Sequence, residues 1–480
     1  MNEVKTVSLS SVKWTFLGMV LPKLLVPVYT IVLARLISPN DMGSMGICVF
    51  IIGLFTLIQG LGINEYIIKD NSPNNNALNT AFWTGLMLSI FLVLIVFFSS
   101  KFLSDFYKDS QLSGGINLLS ITIILNGFGI VHNALLLKEL RFKSLFIIQM
   151  LPIVISFSVT IPLAINGYGY WSMIWGEITR VLLTVVSYWI LCKWRPDFYF
   201  TNKSFLLIFK FGKWITLEKL IEFIYSNIDK VLLGFFLSFK DLGVYVLARS
   251  IVLMIFNIVN GPIGSIIYPL LNKVGPSRRE LIPLFFKISS RLLFLNIPVI
   301  FLAIIAAQIF FPLFFEAKWE NLVIIFTLAT VSEGISRLLW VQRDIFKLLG
   351  LTDLYPKSLV FVLLFSCICN YFGVQFGIMG FVISKLIVDV FYTLIQLYIT
   401  SLVLKFKFKQ FFELMRVPFI ASVTSFIISY TCFLLLANYE YLRILSFVTF
   451  LPIFLTVLRL LDLKNFILYF NELKLVFYKK

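Results

Sequence analysis

The chain has 480 residues, of which 59% are hydrophobic and 14% charged, against about 25% charged in an ordinary globular domain. That composition excludes a soluble protein, and a mean hydropathy of +0.95 leaves a polytopic membrane protein. Its 41 Lys and Arg residues against 24 Asp and Glu give a formal charge of +17, an excess that an anionic membrane surface or an anionic cargo would answer.

A membrane helix needs about 20 mostly apolar residues, and apolar windows between polar breaks give fourteen candidates. The first six are 12–34, 42–62, 81–100, 116–137, 145–165 and 170–192. The first reads as an uncleaved span rather than a signal peptide, since it carries Lys23 and Pro27 and lacks a clear small-residue cleavage site. A basic linker, 193–204, leads to 205–236, 243–268, 284–311, 322–341, 359–374 and 378–404. Two more spans, 417–437 and 444–460, follow a Lys-rich break, and an amphipathic tail fills 462–480. The seventh segment is the least apolar, interrupted by Lys210, Lys213, Glu218, Lys219, Glu222, Asp229 and Lys230.

Loop charge tests this count, because cytoplasmic loops are enriched in Lys and Arg. With both termini cytoplasmic, 23 basic residues fall inside, and only Arg35, Lys101, Lys108, Lys240, Lys318 and Arg443 fall outside. Anionic membrane lipids are therefore expected partners of the inner face.

The chain also repeats itself at a spacing of 200 residues. Lys13 and Trp14 recur as Lys213 and Trp214, and Ser38, Asp41 and Gly43 recur as Ser238, Asp241 and Gly243. Six spans per repeat is an even number, so both copies enter the membrane from the same side, as in transporters built of parallel repeats. The expected fold is all-α: about 14 transmembrane helices in two six-helix lobes around a central cavity, plus two C-terminal helices. The expected segments are an N-terminal lobe (1–192), a linker (193–204), a C-terminal lobe (205–404), an accessory helix pair (405–461) and a cytoplasmic tail (462–480).

Several motifs resemble the oligosaccharide flippases of polysaccharide biosynthesis, in the superfamily that also holds multidrug exporters and peptidoglycan-lipid flippases. The resemblance rests on Leu33-Ala34-Arg35-Leu36-Ile37-Ser38-Pro39 with Asp41 and Gly43, on Leu78-Asn79-Thr80-Ala81-Phe82-Trp83, and on Lys138-Glu139-Leu140-Arg141-Phe142-Lys143. It continues through Trp194-Arg195-Pro196, Asn227-Ile228-Asp229-Lys230, Leu242-Gly243-Val244-Tyr245 with Ala248-Arg249, Gly261-Pro262 and Tyr268-Pro269. It implies a bacterial inner-membrane carrier that moves undecaprenyl-diphosphate-linked repeat units of lipopolysaccharide, O-antigen or exopolysaccharide to the outer leaflet. Polysaccharide polymerase and glycosyltransferases are the protein partners it implies.

The physics of that cargo asks for a wet, cationic path. A charge at mid-span costs about 2.5–3.5 kcal/mol on the insertion scale, so one that persists there should face a cavity or a partner. Twelve basic residues lie in or at the ends of spans: Lys23, Arg180, Lys210, Lys213, Lys219, Lys230, Arg249, Lys287, Arg291, Arg337, Lys385 and Arg459. Lys23 lies at mid-span between Pro22 and Pro27, where a bent helix can line water. Arg249 has no carboxylate within a turn of its own helix, and its fork suits a phosphate. With Lys219 and Lys385 these are the expected substrate-binding residues.

Glu218 and Glu222 share a helix face at i,i+4. With Asp389, one turn from Lys385, they are the expected coupling carboxylates for a proton or sodium gradient; ion pairing is the other reading of each. Glu177 with Arg180 and Glu333 with Arg337 read as local pairs, and His132 as a packed side chain rather than a proton relay. No catalytic residue, metal or cofactor is expected: there is one histidine, and the five cysteines hold no C-x-x-C pair. No nucleic acid partner is expected either. A cation-coupled multidrug exporter of the same fold would favour an acidic path, and a membrane glycosyltransferase or polymerase would need a larger outer loop than 101–115.

Overall fold

The structure is a computed structural model, which describes residues 25–26, 29–69, 74–275, 277–351, 353–436 and 438–462. Among them the helices in chain order are α1 (Pro39–Gly60), α2 (Ile63–Lys69), α3 (Asn75–Tyr107), α4 (Leu112–Lys138), α5 (Phe142–Ile165), α6 (Tyr170–Leu191) and α7 (Asn202–Phe236). There follow α8 (Phe239–Val274), α9 (Arg278–Phe314), α10 (Leu322–Arg337), α11 (Gln342–Leu348), α12 (Leu354–Val374), α13 (Gly377–Leu404), α14 (Phe408–Leu435) and α15 (Ile444–Leu461). Twelve candidate spans among the described residues are long and apolar enough to cross a membrane. The helix α7 falls outside that set because of its charges, and the first expected span is described only at residues 25–26 and from 29 on. The twelve and α7 match thirteen of the expected fourteen, and most of the remaining one, 12–34, lies outside the described residues.

The chain separates into two compact units, one running through Leu247 and including Val374–Ile378, the other made of Ala248–Gly373 and the chain from Met379 on. The helix α7, which opens the second expected lobe, packs with α1, α2 and α3 in the first unit.

The 200-residue repeat takes physical form in that unit. Ser38 caps α1: the Asp41 N–H donates to Ser38 Oγ at 3.1 Å, while Ser38 Oγ donates back to Asp41 Oδ2 at 2.6 Å. Ser238 and Asp241 repeat this at the start of α8, at 3.1 and 2.7 Å. Such caps satisfy donors that a helix start leaves open. The two helix starts then pack together so closely that a Cβ on Gly43 would overlap the Phe239 carbonyl oxygen, and one on Gly243 that of Pro39. Asp41 also accepts the Tyr170 N–H at 3.1 Å, which fixes the start of α6.

The span α1–α2 breaks at Leu61 and Gly62, both left-handed at φ 37° and 63°. A Cβ on Gly212 of α7 would overlap the Leu61 carbonyl oxygen, so glycine permits the close approach of α7 to the break. Beyond it, α2 leans on the core that Ile63, Ile67, Phe82, Val131, Leu136 and Ile208 form.

The linker from residue 193 to 201 is not helical, and the 78–83 motif holds it. Trp83 Nε1 donates to the Asp197 carbonyl at 2.9 Å, and the N–H groups of Asp197 and Thr201 donate to Asn79 Oδ1 and Thr80 Oγ1 at 3.1 and 3.2 Å. Arg195 donates to the carbonyls of Trp189, Cys192 and Trp194, satisfying acceptors at the end of α6. His132, fully buried, lies with its ring 4.9 Å from Trp189 and 5.4 Å from Trp194.

In the second unit Asn260 of α8 and Asn296 of α9 exchange amide hydrogen bonds at 2.8 and 3.0 Å. The accessory helices α14 and α15 pack on α9 through Ile305, Ile309, Ala421, Phe450 and Phe454.

Candidate functional site

Charged side chains in the apolar helices fall into two physical states, open and closed. The open state belongs to α7, a helix of 35 residues with Lys219 at its centre. Lys219 Nζ donates to Glu65 Oε1 at 2.6 Å, and the two side chains are 48% and 38% exposed. Glu65 comes from α2, beyond the Leu61–Gly62 break. Charges in apolar helices are costly against hydrocarbon, and here each of the two has an opposite charge as partner.

The same helix carries the half-buried Glu218 and Glu222 and the exposed Lys210 and Lys213. Lys69, at the end of α2, lies 4.7 Å over the Phe211 ring, and Tyr66 meets that ring edge-on at 6.1 Å. Glu177 and Arg180 pair on α6, with Arg180 Nε to Glu177 Oε2 at 2.7 Å and a second bond between Arg180 Nη2 and Glu177 Oε1. At the far end of α7, Tyr245 donates to Asp229 Oδ2 at 2.5 Å, in a site where Asp229 is 1% exposed.

The closed state is on α13. Lys385 donates to Asp389 Oδ1 at 2.7 Å, and Ser332 of α10 donates to Asp389 Oδ2. Both charged residues are buried. Next to Ser332, Glu333 pairs with Arg337 at 2.7 Å, 15% and 19% exposed.

The structure thus joins Lys385 to Asp389, as one of their two readings expects, and gives Lys219 a partner on another helix. Arg249 stands half-buried on α8, and Lys23 lies outside the described residues. Sequence reasoning missed Glu65, which stands in the short polar run Asn64-Glu65-Tyr66 at the end of an apolar stretch and reads as loop. It missed Ser332, a residue without a charge to draw attention. It also treated Asp229 and Tyr245 as separate motif residues, although both stood in the motif set. Among the described residues no group of His, Cys, Asp and Glu could hold a metal ion.

These long apolar helices are those of a multi-pass helical membrane protein. The fold agrees: it is similar to a structure described as the lipid II flippase MurJ in an inward closed conformation, with a TM-score of 0.76 at 14% identity over 95% of this chain and 99% of that one. It is also similar to an inward-facing multidrug resistance MATE family transporter of the MOP superfamily, with a TM-score of 0.61 at 14% identity over 78% and 94%.

Residues 32–324 match the family described as "Polysaccharide biosynthesis protein", and the chain belongs to that family. Among its relatives, the lipopolysaccharide biosynthesis protein WzxC of Escherichia coli K12 is 25% identical over 88% of this chain and 87% of its own length. The teichuronic acid biosynthesis protein TuaB of Bacillus subtilis 168 is 23% identical over 78% of each. The names of these relatives place them in polysaccharide biosynthesis, and this chain is a multi-pass membrane protein.

Proposed function

We propose that this protein is a flippase for lipid-linked oligosaccharide. In this reading it carries undecaprenyl-diphosphate-linked repeat units from the cytoplasmic to the outer leaflet of the bacterial inner membrane, with both termini cytoplasmic, by alternating access. The observation that carries the reading is Lys219, a half-exposed cation at the centre of a long helix, in a chain of the polysaccharide-biosynthesis family.

The cargo explains the division of charges. A diphosphate needs cations in water at membrane depth, while the prenyl tail can stay in lipid. Lys219, with Arg249 and Lys23, supplies the cations, and the exposed Lys210 and Lys213 extend them along α7. Arg249 suits the diphosphate because a guanidinium binds phosphate oxygens in pairs and keeps its charge when desolvated. Glu218 and Glu222 are the carboxylates through which a proton or sodium gradient would act. Asp389 has an oxygen on Lys385 and another on Ser332, and its place in this scheme is to hold Lys385. In this role glycosyltransferases supply the substrate and a polymerase uses the flipped product.

The test is to delete the gene and identify the lipid-linked sugar that accumulates on the cytoplasmic leaflet. Accumulation restored to normal by the wild-type gene and not by Lys219→Ala supports the reading; unchanged lipid-linked intermediates would sink it. Coupling is checked in vesicles, where collapse of the proton and sodium gradients stops transport if Glu218 and Glu222 are energetic.

A further inference from the structure

We propose that Glu65 is a built-in stand-in for the diphosphate: it occupies Lys219 in the empty carrier and is displaced when the substrate arrives. The inference rests on the flippase reading and names the residue that makes the site selective for a diphosphate.

Three observations carry it. First, the partner of Lys219 is not a neighbour on its own helix but Glu65, 154 residues away, at 2.6 Å. Second, this pair is open, at 48% and 38% exposure, whereas Lys385 and Asp389 are buried and closed by Ser332. A ligand can reach the first pair and not the second. Third, Glu65 rides on the seven-residue helix α2, joined to α1 by Leu61 and Gly62 in left-handed conformations.

The chemistry follows from charge and valence. A carboxylate offers Lys219 one negative charge. A diphosphate offers more charge and more acceptor oxygens, so it outcompetes the carboxylate, while a neutral glycan or an uncharged lipid does not. Surface-accessible ion pairs are worth about 1 kcal/mol or less, so the stand-in is strong enough to discriminate and weak enough to release. Once displaced, Glu65 has lost its cation. The helix α2 keeps its contacts with α7 at Phe211, through Tyr66 and Lys69.

The experiment uses the full chain in nanodiscs and measures binding of farnesyl diphosphate, with inorganic pyrophosphate as a second arm. E65Q should bind farnesyl diphosphate roughly two- to fivefold more tightly than wild type, the size expected for removing an exposed ion-pair competitor. K219Q should lose that binding, and E65Q/K219Q should behave as K219Q. A merely structural Glu65 would weaken binding or leave it unchanged when replaced, and either result overturns the proposal. So does the absence of binding to both wild type and E65Q. Tighter binding of farnesyl diphosphate than of pyrophosphate assigns the site to a lipid-borne diphosphate; the reverse order overturns that assignment. If E65Q has no effect while the deletion strain still accumulates lipid-linked sugar, the stand-in fails and the flippase reading stands. If the deletion strain accumulates nothing, the flippase reading fails whatever E65Q binds.

Discussion

Gly43 and Gly243 stand 200 residues apart and do the same thing to each other's helix: each lies against a backbone carbonyl of the other, Gly43 on Phe239 and Gly243 on Pro39. Each acceptor lies four residues before the partner glycine, so the contact is reciprocal. The Ser-Asp caps beside it, Ser38 with Asp41 and Ser238 with Asp241, hold both helix starts at the same height. Gly43→Ala and Gly243→Ala should each destabilise the protein by about 1–3 kcal/mol, the range for forcing extra atoms into a packed site. Because the two glycines share one contact, the double variant should cost less than the sum. Thermal unfolding in detergent, followed by the loss of monodisperse protein, reads both effects.

Much of this architecture is legible in one dimension. Apolar run length marks the spans, and the repeat at 200 residues marks Ser38, Asp41 and Gly43, which cap α1 and bring it against α8. Lys385 and Asp389 were legible as a pair because one helical turn fixes their separation. Lys219 was legible as a charge out of place, but its partner was not. Glu65 reaches it only because the span breaks at Leu61 and Gly62, and no local pattern encodes which distant helix a broken end will meet. Asp229 and Tyr245 were hidden for a related reason: their contact joins two helices across a turn, 16 residues apart, a spacing with no helical period.

That contact makes its own prediction. Tyr245 donates to a carboxylate that is almost wholly buried, and hydrogen bonds to charged groups contribute about 1.5–3 kcal/mol. Tyr245→Phe should therefore destabilise by about that amount without changing the shape of the core, since only a hydroxyl is lost. Asp229→Asn keeps an acceptor for Tyr245 and should cost less. The order of the two melting temperatures checks the assignment.

The linker gives a prediction about access rather than stability. Trp83 holds it by a hydrogen bond to the Asp197 carbonyl and by stacking on Phe198 with ring centroids 5.0 Å apart. Lys193 and Lys203 flank that stretch and are exposed. Trp83→Ala removes both contacts, so the segment between Lys193 and Lys203 should be cut by trypsin several times faster than in wild type, with the helical spans left intact. Local opening sets such rates where few contacts hold a segment. An unchanged cleavage rate would mean that Asn79 and Thr80 alone secure the linker.

The buried pair on α13 separates structure from coupling. Removing one partner of a buried ion pair leaves an uncompensated charge and costs about 3–5 kcal/mol, whereas replacing both by apolar residues of similar size is often neutral. Asp389→Leu leaves Lys385 buried without the carboxylate, so it should destabilise strongly; Lys385→Met leaves Asp389 with Ser332 and should destabilise less. The double variant should recover most of the stability lost in Asp389→Leu. Glycan transport in that double variant then reads function free of misfolding. Transport close to wild type marks the pair as a structural tie between α13 and α10, consistent with both carboxylate oxygens being taken by Lys385 and Ser332. Loss of transport in a stable double variant assigns Asp389 to the coupling group with Glu218 and Glu222.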